Sequence, residues 1–221
     1  MALSKEALTV IKDHIRGAKI LSFGYPDLLI SIEDTEKLFG IYPTRLSDHG
    51  EWHKATYKIP ETVEFFGLLG STIDCVDIHS SRGVERVVDL NQEHFFGQYD
   101  LVIDAGTIEH CCNVGQALMN AARAVKVGGR VFHIPPMSMM NHGFYNICPT
   151  LLNDFYTQNG WTIEHFSCHG KGGEVPGIHA TRRFVFKSNI QDLWMFFLAK
   201  RSVEQEFRWP LQSKYIKHPN L

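Results

Sequence analysis

The chain has 221 residues, 44% of them hydrophobic, and a formal net charge of -2. That length can bury a full core in a single domain spanning 1–221, and a charge so near zero builds no basic face for nucleic acid. The apolar run "LWMFFLA" at 193–199 is far too short for a bilayer, and "MALSKEALTVIKDHIRG" carries acids where a secretory signal needs an apolar stretch, so neither a membrane partner nor export is expected.

Residues 4–16 read as a helix, capped by Ser4, with Leu8, Ile11 and Ile15 on one face. "AKILSFG" is a short strand that turns at Gly24. In "YPDLLISIEDTEKLFG", Pro26 suits the first turn of a second helix and Gly40 its end. Residues 41–60 have no sustained period and carry two prolines, which predicts an inserted loop or lid. "ETVEFFGLLG" reads as a short helix. "STIDCVDIHS" is a strand with Ile73, Cys75 and Val76 buried and Asp77 at its end; "VERVVDLNQ" is another, ending at Asp89.

"YDLVIDAG" is the most strand-like run, apolar and β-branched. A helix is predicted from Asn113 to about Val127, with Leu118, Ala121, Ala122 and Val125 on one face and Gly128-Gly129 as its stop. "RVFHIPP" is the next strand. "CPTLLNDFYTQNGW" then reads as a helix, "WTIEHFSC" as a strand and "HGKGGEVPGIHATRR" as a glycine-rich loop. "RFVFKS" is read as an extra strand and "DLWMFFLAK", apolar on both faces, as a central one; 201–221 is a tail with aromatic anchors. Strands alternating with helices imply an α/β fold with a mostly parallel sheet covered on both faces. Ligands of such sheets bind outside the carboxyl ends of the strands, where Gly24, Asp77, Asp89, Asp104-Ala105-Gly106 and Pro135 all fall.

The segment "YDLVIDAGTIEH", the helix ending "AVKVGGR" and the strand "VFHIPP" resemble the class I S-adenosylmethionine-dependent methyltransferases. "TLLNDFYTQNGWTIEHF" and "DLWMFFLAKR" are similar to that family's closing elements. The resemblance implies a Rossmann-like, seven-stranded, mostly parallel sheet with an antiparallel last strand. It also implies S-adenosylmethionine as cofactor. Asp77 stands where the family's acid takes both ribose hydroxyls, as one carboxylate can. Asp89 stands at the acid that meets the adenine amino group, with the Leu90 amide following. Asp104, Ala105 and Gly106 stand where the methionine end passes. The first motif departs from the family pattern. In "LSFGYPDLL", Ser22 replaces an acid, only Gly24 of the glycines is kept, and Pro26 and Leu28 fill the later positions. Asp27 there would either repel the methionine carboxylate or hold its ammonium group.

Glu109-His110 is read as a wall near the transferred methyl, or as a cap on the following helix. His110, His133 and His142 are the candidate bases, and Glu109 and Tyr145 the candidate substrate contacts, with "MNHGFYNICP" arching over the pocket. For His133 the competing reading is a satisfied core residue. The chain's twelve histidines offer no HxxxH or HxxEH pair on a helix, so no metal is expected. Its five cysteines lack CxxC spacing, which fits free thiols in a reducing cytoplasm, with Cys111-Cys112 buried at a helix start. The reaction implied is methyl transfer to a small molecule. The alternatives are a methyltransferase-like scaffold that binds a ligand or partner without methylating, or another reaction run by the pocket histidines.

Overall fold

The computed structural model describes residues 2–185 and 192–217. In chain order the elements are β1 (Ala2–Ser4), α1 (Lys5–Ile11), β2 (Lys19–Phe23), β3 (Asp27–Leu29), α2 (Ile32–Phe39), α3 (Thr62–Leu68), β4 (Thr72–Asp77) and β5 (Arg86–Val87). Then come β6 (Tyr99–Asp104), α4 (Val114–Ala124), β7 (Val125–His133), α5 (Pro149–Gln158), β8 (Thr162–Gly170), β9 (Gly173–Glu174), β10 (Trp194–Lys200) and α6 (Ser213–Lys217). The main sheet runs β5-β4-β2-β6-β7-β10-β8-β9. β10 lies antiparallel between β7 and β8, while β5, β4, β2, β6 and β7 are parallel. The sheet has eight strands rather than the expected seven, because the glycine-rich loop after β8 folds back as the two-residue β9.

Alternation along the strands makes two cores, one on each face. On β6, Leu101 and Ile103 face the side covered by α1, α2 and α3, and Val102 faces α4 and α5. On β10, Phe196 and Leu198 join the first core, and Met195, Phe197 and Ala199 the second. Each fully buried Phe or Leu contributes about 1.5–3 kcal/mol relative to exposure. β10 is therefore apolar on both faces because both faces are covered. In the tail, Phe207 packs on the second core and stacks with Phe155.

Four local expectations are corrected. Residues 26–29 do not begin a helix: β3 pairs in parallel with β1, and α2 starts only at Ile32, where the Ser31 side chain accepts from Asp34 N–H. The α4 helix ends at Ala124, and Gly128-Gly129 lies within β7. There, Gly128 N–H donates to the Arg201 carbonyl, and a Cβ on Gly129 would meet the Asp100 carbonyl at 2.9 Å. A φ of +84° at Gly128 and close backbone approach at Gly129, not a helix stop, require those glycines. The Arg86–Val87 strand is shorter than "VERVVDLNQ" suggested. Residues 183–185 of "RFVFKS" form no strand, and 186–188 lie outside the described residues. Ser4 caps α1 as expected, accepting from Ala7 N–H, and residues 41–60 are irregular apart from one bridge between Leu46 and Pro60.

Candidate functional site

A cavity of about 690 Å³ crosses the carboxyl ends of the parallel strands, within the range usual for small-molecule sites. Asp77 closes β4 and borders it. Its Oδ1 accepts from Ile78 N–H at 2.6 Å, a turn that fixes the carboxylate at the strand end. Asp89 borders it two residues beyond β5. Hydrogen bonds from Asn91, backbone and side chain, hold the Asp89 carboxyl below its usual range. Because Val87 is in register with Asp77, the parallel pairing of β4 and β5 alone brings these two acids to one edge. Leu90 follows on the same wall, where its carbonyl accepts from the buried Asn120 side chain.

The end of β6 supplies the floor. Ala105 and Gly106 border the cavity, and Gly106 takes a φ of +89°, which glycine adopts without strain. Asp104 lies beneath them, fully buried. Its Oδ1 accepts from Thr107 and Ile108 N–H, and its Oδ2 is 2.7 Å from His133 Nδ1. The His133 Nε2 in turn meets the Tyr156 hydroxyl at 2.7 Å. Asp104, His133 and Tyr156 thus form a satisfied polar chain inside the core, joining β6, β7 and α5. His133 is fully buried there and does not line the cavity.

Glu109 and His110 lie on the short helical turn that follows. They do not cap α4, because the Asn113 side chain does so by accepting from Gln116 N–H. Glu109 is fully buried beside the cavity. Among the described residues neither of its carboxylate oxygens has a hydrogen-bond partner. Burial, then the Asp104 carboxylate, pushes its carboxyl up to about 8. His110 and His142 both border the cavity and stand half-exposed at Glu109, with ring centroids 5.2 Å apart. Burial, then the neighbouring His142, lowers the His110 pKa. Tyr145 points elsewhere, donating to the Cys112 carbonyl at 2.8 Å. The loop carrying His142 and Tyr145 does reach over the site, pinned by Phe144 and Tyr145 N–H on the Glu109 carbonyl. Cys111 is buried, but Cys112 is exposed, which corrects the pair's expected burial.

The first-motif side is built otherwise. Gly24 makes its turn at φ +77°, with its N–H on the Val76 carbonyl, and is not among the residues that border the cavity. Asp27 is 2% exposed, with one Arg82 guanidinium nitrogen 2.8 Å from both its oxygens and His53 Nε2 at 2.8 Å. Two cationic or polar partners therefore occupy the carboxylate that the sequence left open for an ammonium group. Leu28 is buried in the first core, and Tyr25 donates to Glu61, so neither plugs the cavity. Ser4, Leu29 and Trp52 close this side instead. No sequence signal marked Trp52, Arg82 or His53; they come from aperiodic stretches and meet Asp27 or the cavity only through the fold.

No protein-family model and no curated protein matches the chain. Among solved structures, TehB from Haemophilus influenzae is similar over 89% of this chain and 61% of that one, at 13% identity and a TM-score of 0.52. The chain thus spans under two thirds of TehB's length. Burkholderia thailandensis 1,6-didemethyltoxoflavin-N1-methyltransferase, solved with 1,6-didemethyltoxoflavin and S-adenosylhomocysteine bound, is similar over 90% of this chain and 77% of that one, at 13% identity and a TM-score of 0.50. At such identities the likeness is one of fold. Among the described residues no helix is long and apolar enough to cross a membrane.

Proposed function

We infer that this chain, which has the class I methyltransferase fold, binds S-adenosylmethionine across its strand ends and transfers the methyl group to a small molecule. One observation carries the reading: Asp77, which closes β4, and Asp89, two residues beyond its neighbour β5, border the same cavity as Ala105 and Gly106. In this reading Asp77 accepts from the ribose hydroxyls, Asp89 and the Leu90 amide meet the adenine, and the small residues of the β6 end let the sulfonium arm pass. The acceptor sits at Glu109, His110 and His142, where either exposed histidine can take the acceptor's proton. His133 is a positioning residue: with Tyr156 it holds Asp104, whose Oδ1 fixes the turn that carries Glu109. Alignment of donor and acceptor supplies much of the rate in such a transfer.

A second reading has its own support. Arg82 and His53 occupy Asp27, and β3 stands where the family's glycine-rich turn would lead into a helix. That favours a scaffold that binds a ligand without methylating it. Calorimetric titration of the purified protein with S-adenosylmethionine and S-adenosylhomocysteine separates the two. Saturable binding that Asp77→Ala weakens by about tenfold to hundredfold, the worth of hydrogen bonds to a charged group, supports the first reading. No heat and no shift in melting temperature would favour the second.

A further inference from the structure

We propose that Glu109, His110 and His142 form a site for one divalent transition-metal ion at the wall of the cavity. Their ligand atoms all lie within 4.8 Å of one another. His110 Nε2 is 3.8 Å and His142 Nε2 3.6 Å from Glu109 Oε1, too long for hydrogen bonds. An ion held at about 2.1 Å from each atom in tetrahedral geometry sets its ligands about 3.4 Å apart. The two separations from Glu109 therefore need to close by only a few tenths of an ångström, and the histidine nitrogens, which lie within 4.8 Å of each other, can approach by rotation of two half-exposed imidazoles.

The second observation is Glu109 itself. Its carboxylate is fully buried beside the cavity, and among the described residues neither oxygen has a donor and no lysine or arginine pairs with it. A buried carboxylate without partners is costly, and a cation between it and the two imidazoles removes that cost. The fold also brings the third ligand in deliberately tight register. Phe144 and Tyr145 N–H both donate to the Glu109 carbonyl, and a Cβ on Gly143 would meet that carbonyl oxygen at 2.8 Å. The residue next to His142 thus presses on the residue that supplies the carboxylate.

Two imidazoles and one carboxylate suit zinc, cobalt, iron or nickel rather than magnesium or calcium, which prefer all-oxygen shells. Three protein ligands leave at least one coordination position open, and the cavity is what faces it. A methyl acceptor with an ionisable oxygen fits that position, and with the ion bound the loss of its proton would be eased by the metal's charge instead of by the two histidines, whose lone pairs the ion takes. This last role rests on the methyl-transfer reading; the metal site does not.

The test titrates chelator-treated, full-length protein with Co²⁺, read by visible d–d absorption, and with Zn²⁺, read by calorimetry. One saturable equivalent is expected. Glu109→Gln and His142→Ala are each expected to weaken it by at least about tenfold, since even groups behind a metal ligand matter that much. The exposed His179→Ala serves as control and leaves binding intact. Urea denaturation of the metal-free variants checks that they fold, and His142 on its exposed loop stands in should the buried Glu109 variant fail to do so. Absence of a saturable equivalent, binding unchanged in both ligand variants, or equal loss in the control overturns the proposal. S-adenosylhomocysteine titration of the metal-free protein is read separately. Cofactor binding without metal binding sinks the ion alone, and the converse sinks the methyl-transfer reading alone.

Discussion

At the β5 end of the crevice, Asp77 and Asp89 each sit in a turn that their own neighbours make, with Ile78 and Asn91 as donors. At the β3 end, Asp27 is held by Arg82, 55 residues on, and by His53, 26 residues on. The first kind of acid is fixed by local hydrogen bonds and left facing the cavity. The second is spent on the fold: it ties the irregular 41–60 segment and the loop before β5 to β3. The two ends teach that a carboxylate at a strand end stays open to the cavity only where no cation of the chain reaches it first. The same rule singles out Glu109, whose carboxylate oxygens have no hydrogen-bond partner among the described residues.

The largest effect that can break this contrast is expected from Asp27→Ala. It leaves the Arg82 guanidinium, itself mostly buried, without its carboxylate, and loss of about 3 kcal/mol is expected in urea denaturation. A loss under about 1 kcal/mol would mean that Asp27 is not structural. Asp77→Ala is the mirror case. Its stability should stay within about 1 kcal/mol of the parent, the worth of the local turn bond from Ile78 N–H, while the cofactor affinity falls. A variant that loses both equally would erase the distinction between the two ends.

A smaller change sharpens the lid's role. His53→Ala removes one hydrogen bond to Asp27 but leaves Arg82 in place, so about 1 kcal/mol is expected. Limited proteolysis should then cut faster within 46–58, and unchanged cleavage would show that the segment is held by something else. The smallest effect concerns pH. The Asp89 carboxyl is lowered by Asn91, so its contribution to stability is present above the ordinary value of 3.8 and is lost as pH falls through the lowered one. Asn91→Ala keeps the backbone donor, the larger cause, and removes only the side-chain one, so a carboxyl titration by NMR should show Asp89 moving part of the way up toward 3.8. The pH-dependent share of the stability loss should be present at neutral pH and vanish in strong acid, while loss of the Asn113 N–H partner costs the same at both. An Asp89 that does not move at all would mean that the Asn91 side chain does not hold it.

Strand periodicity and turn chemistry are local, and they were enough to locate β2, β4, β6, β7, β10 and the acids that close β4 and follow β5. They misjudged Pro26 because β3 exists only through its pairing with β1, whose residues lie 25 positions earlier. They misjudged Gly128-Gly129 because the constraints there are a positive φ within β7 and, at Gly129, a carbonyl of the adjacent strand. His133 reads identically in sequence whether it faces ligand or core; the Tyr156 hydroxyl and Asp104 decide for the core. Likewise Glu109, His110 and His142 carry no metal spacing, since 32 residues separate the two histidines and a backbone clasp at the Glu109 carbonyl joins them. The sequence by itself determined the layered α/β order and the polar residues at its strand ends, because both follow from neighbours two to four positions apart. Which of those polar residues remain open to a ligand was decided by the tertiary structure alone, because that depends on partners the chain brings together only on folding.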